Sequence, residues 1–325
     1  MPVFPLAKTN GVRMMQRYDV VVLLSTYNGK KYIREQIETI CNQDYQGHIH
    51  LYIRDDGSKD ETVLILNDIK ESLPSNRSLE VCASSNVGPQ RSFLKLIKTS
   101  PQADYYFFAD QDDVWDLDKV SKAVNKMSEN KEEPTAYCCN YRLSDMDLKI
   151  LDTGFIKKTP KFTPLRVIFY NEIPGCTMGF NDSLMQYLRA LKLHNCMMHD
   201  SLAVSLAAHC GTVIFDKDAG ITHRIHADNV VGAGHKKIVP TKWIKEKFNL
   251  LIKKDDYDIS EMADQFLKVC ANAPKRQFVE DLELLRDFKK NYANTFRLLH
   301  HPDSKDKITD RTTMSIRCKI LFHIF

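Results

Sequence analysis

A chain of 325 residues with 43% hydrophobic and 27% charged content can bury a sizeable core and does not have a disordered or fibrous composition, which leaves one large folded domain or one domain with an appendage. Its longest apolar runs, at 20–24 and 105–109, are far shorter than a membrane-spanning helix requires. The formal net charge of +4 is uneven, with 20 Lys+Arg against 14 Asp+Glu in residues 221–325 and 26 against 28 before them; this suggests an anionic partner for the last third, and it is too modest, without any recognisable motif, to suggest nucleic acid.

The first half alternates strand-like and helix-like segments. A β-branched run at 18–24 precedes Ile33, Ile37 and Ile40 at helical spacing. A second strand is predicted at 49–53, with Ser58 and Glu61 spaced as a capping box for the helix after it. A third strand at 79–83 leads to a helix carrying Phe93, Leu94 and Ile97. The fourth, at 104–109, is nearly all apolar, as expected of a strand buried on both faces. A helix at about 116–129 and a strand at 135–141 follow. Repeated βα units of this length imply a mostly parallel central sheet flanked by helices, with ligands beyond the carboxyl ends of the strands. Residues 142–174, with Pro160, Pro164 and Pro174, are less regular. Two helices are predicted within 182–209, short strands at 211–215 and 221–225, and helices alone at 241–253, 257–270 and 276–299.

Four strand ends carry polar loops: Ser25-Thr26-Tyr27-Asn28-Gly29, Arg54-Asp55-Asp56-Gly57-Ser58, Ser85-Asn86-Val87-Gly88 and Asp110-Gln111-Asp112-Asp113. The last is the sharpest signal. Three carboxylates within four residues repel one another and need a cation or a strongly polar setting. Asp110 and Asp112 offer hard oxygen ligands suited to Mg²⁺ or Mn²⁺ shared with substrate phosphates. A solvated acidic turn that caps the next helix is the plain alternative, and for Asp56 the alternative is a turn former ahead of Gly57. Nine cysteines, an odd number with no CxxC pair and with Cys138 next to Cys139, fit buried free thiols better than a disulfide framework or zinc site. No apolar stretch of signal-peptide length precedes residue 20, so a cytosolic location is expected, with attachment to the inner face of the membrane as an extension of it.

Those four loops, in this order and spacing, resemble the family 2 glycosyltransferases over roughly residues 18–232. The resemblance implies the GT-A fold, a Rossmann-like nucleotide-diphospho-sugar transferase architecture. It implies that Asp56 holds the base or ribose of a nucleotide-sugar donor (a dTDP- or UDP-sugar), that Thr26, Tyr27, Asn28 and Asn86 lie beside the nucleotide, and that Asp110 and Asp112 bind the metal. Asp200, in His199-Asp200 at the start of an apolar helix, falls where inverting members carry an acidic catalytic base; an N-cap role is the alternative. The segment from His223 to Gly232 is similar to the one that closes over the diphosphate, which implies that Arg224 pairs with phosphate and that His226 is a further metal ligand. Strand alternation puts His223 on the opposite face from Arg224, and a surface or core role stays open for either histidine. Gly175, Cys176, Thr177 and His199 are expected beside the acceptor.

Asp110-Gln111-Asp112-Asp113-Val114-Trp115, His199-Asp200 and the Arg-Ile-His stretch are similar to the bacterial rhamnosyltransferases, which implies dTDP-L-rhamnose as donor, a saccharide or lipid-linked saccharide as acceptor, and assembly of cell-surface polysaccharide. Another donor such as UDP-glucose or UDP-galactose, or a non-catalytic sugar-nucleotide-binding subunit, is the alternative. A nucleotidyltransferase is disfavoured because the loop at 25–29 holds a single Gly. The expected division is a catalytic domain over 1–235 and a helical extension over 236–325. In the extension, Trp243, Phe248 and Leu251 interleave with Lys242, Lys245, Lys247 and Lys253, a pattern that fits an anionic membrane surface or a second subunit equally.

Overall fold

The computed structural model describes residues 18–129, 131–193, 197–225, 258–273, 275–305, 316–317 and 320–321. The expected helix at 241–253 and His226 lie outside the described residues. The first half follows the predicted alternation: β1 (Tyr18–Thr26), α1 (Ile33–Cys41), β2 (Ile49–Asp55), α2 (Thr62–Lys70), β3 (Arg77–Ala83), α3 (Pro89–Thr99) and β4 (Ala103–Ala109). After these come β5 (Val114–Trp115), α4 (Lys119–Ser128), β6 (Thr135–Ser144), β7 (Ile150–Asp152), α5 (Pro164–Phe169), β8 (Met178–Asn181), α6 (Asp182–Ala190), α7 (His199–Cys210) and β9 (Thr212–Arg224). The described C-terminal helices are α8 (Ile259–Val269), α9 (Val279–Asp287), α10 (Tyr292–His300) and α11 (Pro302–Lys305).

One sheet runs β3-β2-β1-β4-β8-β6-β9-β5, with β7 beside β6. β1 pairs in parallel with β2 and β4, β2 with β3, and β6 with β9. β8 is antiparallel to both neighbours, β4 and β6, so β4 and β6 point the same way and all the long strands end on one edge. That edge gathers the four polar loops. The sheet is therefore mixed, with one short reversed strand inside an otherwise parallel core.

Burial on both faces explains why β1 is apolar at five consecutive positions, 20–24. Val20, Val22 and Leu24 face α1, α2 and α4 in one cluster, through Ile33, Ile37, Leu66, Val120 and Met127. Val21 and Leu23 face a second cluster with Phe93, Leu96, Leu202 and Leu206. All five β1 side chains are fully buried, each stabilising the fold by roughly 1.5–3 kcal/mol. Every residue of α7 except Asp200 is buried, as expected of a helix apolar on nearly all sides. Ile259, Met262 and Phe266 of α8 and Leu282 and Leu285 of α9 belong to the same cluster as α7.

Several local expectations change. Ser58 and Glu61 form no capping box: α2 starts at Thr62, Glu61 makes no side-chain cap bond, and Asp60 Oδ1 accepts the Thr62 N–H at 3.1 Å instead. Ser58 is drawn instead into the turn at Gly57, where φ is +82°, giving its N–H to Asp55 Oδ2 at 2.9 Å and receiving the Asn28 N–H at 2.8 Å. The two short strands expected at 211–215 and 221–225 are one long strand, β9, bent where its register with β6 shifts near Asn140. The helix expected over 276–299 is broken between Asp287 and Tyr292, with Asn291 capping the second part by accepting from Asn294 N. Among the described residues seven cysteines are free thiols and five of them are buried, as expected.

Candidate active site

Asp110, Asp112 and Asp113 follow β4, whose buried aromatic run ends at Ala109. Burial first, then Asp113 and Asp112, push the Asp110 carboxyl up to about 8; His223 only partly opposes this, and Asp200 adds to it. Burial and neighbouring carboxylates both disfavour the ionised form, and a cation at this place would oppose both. Beneath it, His223 Nδ1 lies 2.7 Å from Asp113 Oδ1, and Cys176 Sγ is 3.9 Å from the same nitrogen. Burial pulls His223 down, but Asp113, Asp110 and Asp112 overcome it and raise it to about 9. The pair is thus an imidazolium and a carboxylate. The second oxygen of Asp113 is buried with no hydrogen-bond partner. Lys119, 1% exposed, donates to the Cys176 carbonyl at 2.7 Å and lies 3.8 Å over the Trp115 ring.

Gln111, to which the sequence assigned no role of its own, has a structural part. Its Oε1 accepts from Thr26 Oγ1 at 2.7 Å and from Tyr27 N at 2.9 Å, tying the β1 loop to the β4 loop. A Cβ at Gly29 would stand 2.4 Å from that oxygen, so a side chain there would have to displace the Gln111 amide. Asn28, at φ +49°, accepts the Lys59 N–H at 2.9 Å and links the β1 loop to the β2 loop. Asp56 is buried and receives the Val87 N–H at 2.9 Å and the Gly88 N–H at 2.8 Å. It also pairs with Arg54, which the sequence reading passed over; Arg54 further donates to Ser85 O at 2.9 Å. Asp56 therefore orders the β3 loop, where Asn86 Oδ1 accepts from Gly88 N at 3.2 Å.

Asp200 sits in the first turn of α7, at the positive end of the helix dipole. Its Oδ1 accepts from Ser201 N at 2.6 Å. Burial raises it to about 6, against hydrogen bonds from Ser201, Gly175 and Asn171 that favour the ionised form. Asp200 is close enough to raise Asp110, so the two candidate functions meet at one place.

The expected acceptor residues fare differently. His199 is 3% exposed; it stacks on Phe93 at 3.7 Å and meets Phe108 edge-on at 4.5 Å. Neither ring nitrogen has a hydrogen-bond partner, and burial lowers it to about 3. It is a neutral packing residue in an aromatic slot, not an acceptor contact. A Cβ at Gly175 would strike its Nε2 at 2.4 Å. Cys176 and Thr177 lie in a 3-10 turn with their side chains buried, so they shape the floor and do not offer a surface to a saccharide. Arg224 donates to Glu35 at 2.5 Å and to Met146 O at 3.1 Å, and lies 4.6 Å over Tyr32. Binding phosphate would require it to exchange these partners. A cavity of about 650 Å³ opens at the opposite edge of the sheet, beside Asp104, Asn181 and Asp182, away from the carboxylates.

The profile of Glycosyl transferase family 2 matches residues 21–188, from β1 through α6. The chain belongs to the family 2 glycosyltransferases. The match takes in Asp56, Asp110 and Asp112 and stops short of Asp200 and His223. This family 2 chain is 26% identical over 244 residues to the dTDP-rhamnosyl transferase RfbG of Shigella flexneri, covering 69% of this chain and 81% of that one. It is 31% identical over 112 residues to the UDP-Glc:alpha-D-GlcNAc-diphosphoundecaprenol beta-1,3-glucosyltransferase WfaP of Escherichia coli, covering 34% and 42%. Among solved structures it resembles S. aureus TarS 1-349 in complex with UDP-GlcNAc, with a TM-score of 0.55 at 17% identity over 88% of this chain and 77% of that one. It also resembles the mannosyltransferase PcManGT of Pyrobaculum calidifontis in complex with GDP-Man and Mn²⁺, with a TM-score of 0.52 at 14% identity over 95% and 88%. The fold is of the GT-A type, as the sequence led us to expect.

Proposed function

We propose that this family 2 glycosyltransferase is metal-dependent and inverting, and that it transfers L-rhamnose from dTDP-L-rhamnose to a hydroxyl of a saccharide or lipid-linked saccharide acceptor in cell-surface polysaccharide assembly. The observation that carries it is the convergence of the crowded Asp110, Asp112 and Asp113 carboxyls with Asp200 at the carboxyl edge of the sheet. The residues fit a divalent ion: Asp110 resists ionisation because it is buried and lies beside Asp113 and Asp112, and a buried Asp113 oxygen lacks a partner. Asp110 and Asp112 would hold Mg²⁺ or Mn²⁺, which supplies charge neutralisation for the leaving nucleoside diphosphate. Thr26, Tyr27, Asn28, Asp56 and Asn86 would hold the nucleotide, with Gln111 fixing the β1 loop against the metal loop. Asp200, ionised at neutral pH, would take the proton from the acceptor hydroxyl as that oxygen attacks the anomeric carbon from the face opposite the diphosphate. The similarity to RfbG supports rhamnose as the donor sugar, and the shorter match to WfaP keeps UDP-glucose as the alternative. Among the described residues no helix is long and apolar enough to cross a membrane, and the enzyme is proposed to act in the cytosol, with the segment after residue 235 mediating peripheral membrane or subunit contacts.

The test is release of nucleoside diphosphate from a panel of sugar nucleotides, with and without chelator, followed by NMR of the anomeric centre of the product. Release from dTDP-rhamnose above all other donors, metal dependence and an inverted product are expected. A product that keeps the donor's configuration would overturn the base role of Asp200.

A further inference from the structure

Asp113, Cys176 and His223 come from three separate places in the fold: the loop between β4 and β5, the 3-10 turn at Gly175–Thr177 and the end of β9. Each is held by its backbone. Val114 pairs with Thr222 across β5 and β9, which sets Asp113 against His223, and β6 holds His223 from its other side through Leu143. Lys119 donates to the Cys176 carbonyl at 2.7 Å, and the Thr177 N–H is bonded to Pro174 O at 3.0 Å. One carboxylate oxygen, one sulfur and one imidazole nitrogen are thereby brought within 4.8 Å of one another. His223 Nδ1 is 2.7 Å from Asp113 Oδ1 and 3.9 Å from Cys176 Sγ. A second observation is independent of these distances. The Asp113 side chain is fully buried, and its Oδ2 has no hydrogen-bond partner among the described residues. The ion pair with His223 leaves that oxygen unanswered, and a buried polar atom in this state points to an ion or water.

The donor set selects the ion. Thiolate and imidazole suit Zn²⁺, whereas the oxygens of Asp110 and Asp112 suit Mg²⁺ or Mn²⁺. Zinc bonds of about 2.0 Å to oxygen and nitrogen and about 2.3 Å to sulfur, at tetrahedral angles, place the nitrogen roughly 3.3 Å from the oxygen and roughly 3.5 Å from the sulfur. The present 2.7 Å and 3.9 Å separations straddle those values, so a shift of the imidazole ring by roughly half an ångström makes the site. Charge balances as well. The Asp113 carboxylate, the His223 imidazolium and the Cys176 thiol sum to zero. When Zn²⁺ replaces the thiol proton and the ring Nδ1 proton, both released to solvent, the ion with a carboxylate, a thiolate and a neutral imidazole again sums to zero. Binding therefore buries no new net charge. Entry is past His223, whose side chain is 17% exposed where that of Asp113 is closed. The ligands lie up to 110 positions apart, so no spacing in the sequence announces them.

We propose that Asp113, Cys176 and His223 form a three-ligand site for Zn²⁺, separate from the Asp110 and Asp112 pair and directly beneath it. This goes beyond the transferase reading and is tested without donor or acceptor. The full chain, reduced and stripped with chelator, is titrated with Co²⁺ in excess Mg²⁺, which occupies the outer carboxylates. A thiolate-to-cobalt charge-transfer band and tetrahedral d–d bands are expected, both bleached by one equivalent of Zn²⁺ with release of two protons per ion to an indicator dye. Cys176→Ser should lose the charge-transfer band. His223→Gln, which keeps the thiol, should weaken Zn²⁺ by more than about tenfold, since even an outer partner of a ligand is worth about that much. Asp112→Asn should keep the band. Cobalt that binds without the band overturns the proposal, because the ion would then sit on oxygens alone. So does a band that survives in Cys176→Ser, which would put the ion on another cysteine, or an unchanged Zn²⁺ affinity in His223→Gln, which decides the matter even if the serine variant fails to fold. A band lost in Asp112→Asn would merge the two sites and overturn their separation.

Discussion

Replacing Asp200 by Asn should separate catalysis from stability in a way that a merely structural residue would not. Burial raises Asp200 from the ordinary Asp value of 3.8 to about 6. Its ionised form is therefore disfavoured in the fold, by on the order of 2 kcal/mol once the partial exposure of the side chain is allowed for. The sign follows. An acid raised on folding destabilises the native state as pH climbs from about 4 through 6, and the full penalty is present above that. Asn removes the charge and keeps an oxygen to accept from Ser201 N, now at 2.6 Å. Metal-free Asp200→Asn should thus melt a few degrees higher than wild type at pH 7.5 and match it near pH 4. Transfer should nevertheless fall by roughly 10²–10⁴-fold if the carboxylate is the base. In the wild type kcat/KM should decline on the acid side with a midpoint near 6, reaching about a tenth of its plateau one pH unit below. The assays are calorimetry across pH and nucleoside diphosphate release with acceptor present. A variant that is less stable than wild type, or one that transfers at the wild-type rate, would refute the reasoning.

Chelation should abolish transfer, and Asp112→Asn should lower turnover on the order of 10²-fold or more; full activity in excess chelator sinks the metal role. Asp56→Ala should raise the donor KM more than it lowers single-turnover chemistry, and it should also destabilise the chain, because it leaves Arg54 buried without its carboxylate; normal donor affinity with collapsed chemistry would show the assignment to be wrong. Arg77 is buried and donates to five carbonyls, those of Cys41, Gln43, Tyr45, Gly47 and Asn76; Arg77→Met should cost on the order of 3 kcal/mol in denaturant unfolding, and an unchanged midpoint would mean water replaces the guanidinium. Truncation at Pro240 removes α8 and α9 from the cluster they share with α7; we expect a soluble truncation to bind the dye ANS and to unfold early, and a cooperative, wild-type-like melt would show that the catalytic fold closes without them.

The strands β1 and β4 were legible because each is buried on both faces, which leaves an apolar run, at 20–24 and 105–109, that local sequence reports directly. The acidic loop was legible because three carboxylates in four residues have few other uses. What the sequence did not show depends on partners far along the chain. β8 is four residues long and contains Gly179, where a Cβ would stand 2.6 Å from the Phe107 ring; its strand character comes from the two neighbours it lies between, not from its own residues. His199 beside Asp200 looks polar and functional in sequence, yet Phe93 and Phe108 convert it to a packing ring. Arg224 finds Glu35 189 positions away, and nothing local distinguishes such a pair from a phosphate-binding arginine. In each case the residue type was read correctly and the partner was not, because partners are set by the topology of the sheet.

The same topology explains how four carboxylates are tolerated on one edge. His223 sits beneath the cluster on the Asp113 carboxylate at 2.7 Å, and Lys119, whose charged form burial disfavours, donates to the Cys176 carbonyl at 2.7 Å. Both are held by the protein's interior and cannot move toward the mouth: Lys119 is covered by Trp115 and Phe107, and His223 by Tyr141. His223 pairs with Asp113, whereas Asp110 is still pushed up to about 8, by burial first and then by Asp113 and Asp112. A buried cation placed one residue farther out would have satisfied Asp110 and Asp112 and closed the site to any metal. On the proposed reading the loop divides its labour: Asp113 anchors it to the sheet through His223, Gln111 anchors it to the β1 loop, and Asp110 and Asp112 would be left to hold a divalent ion.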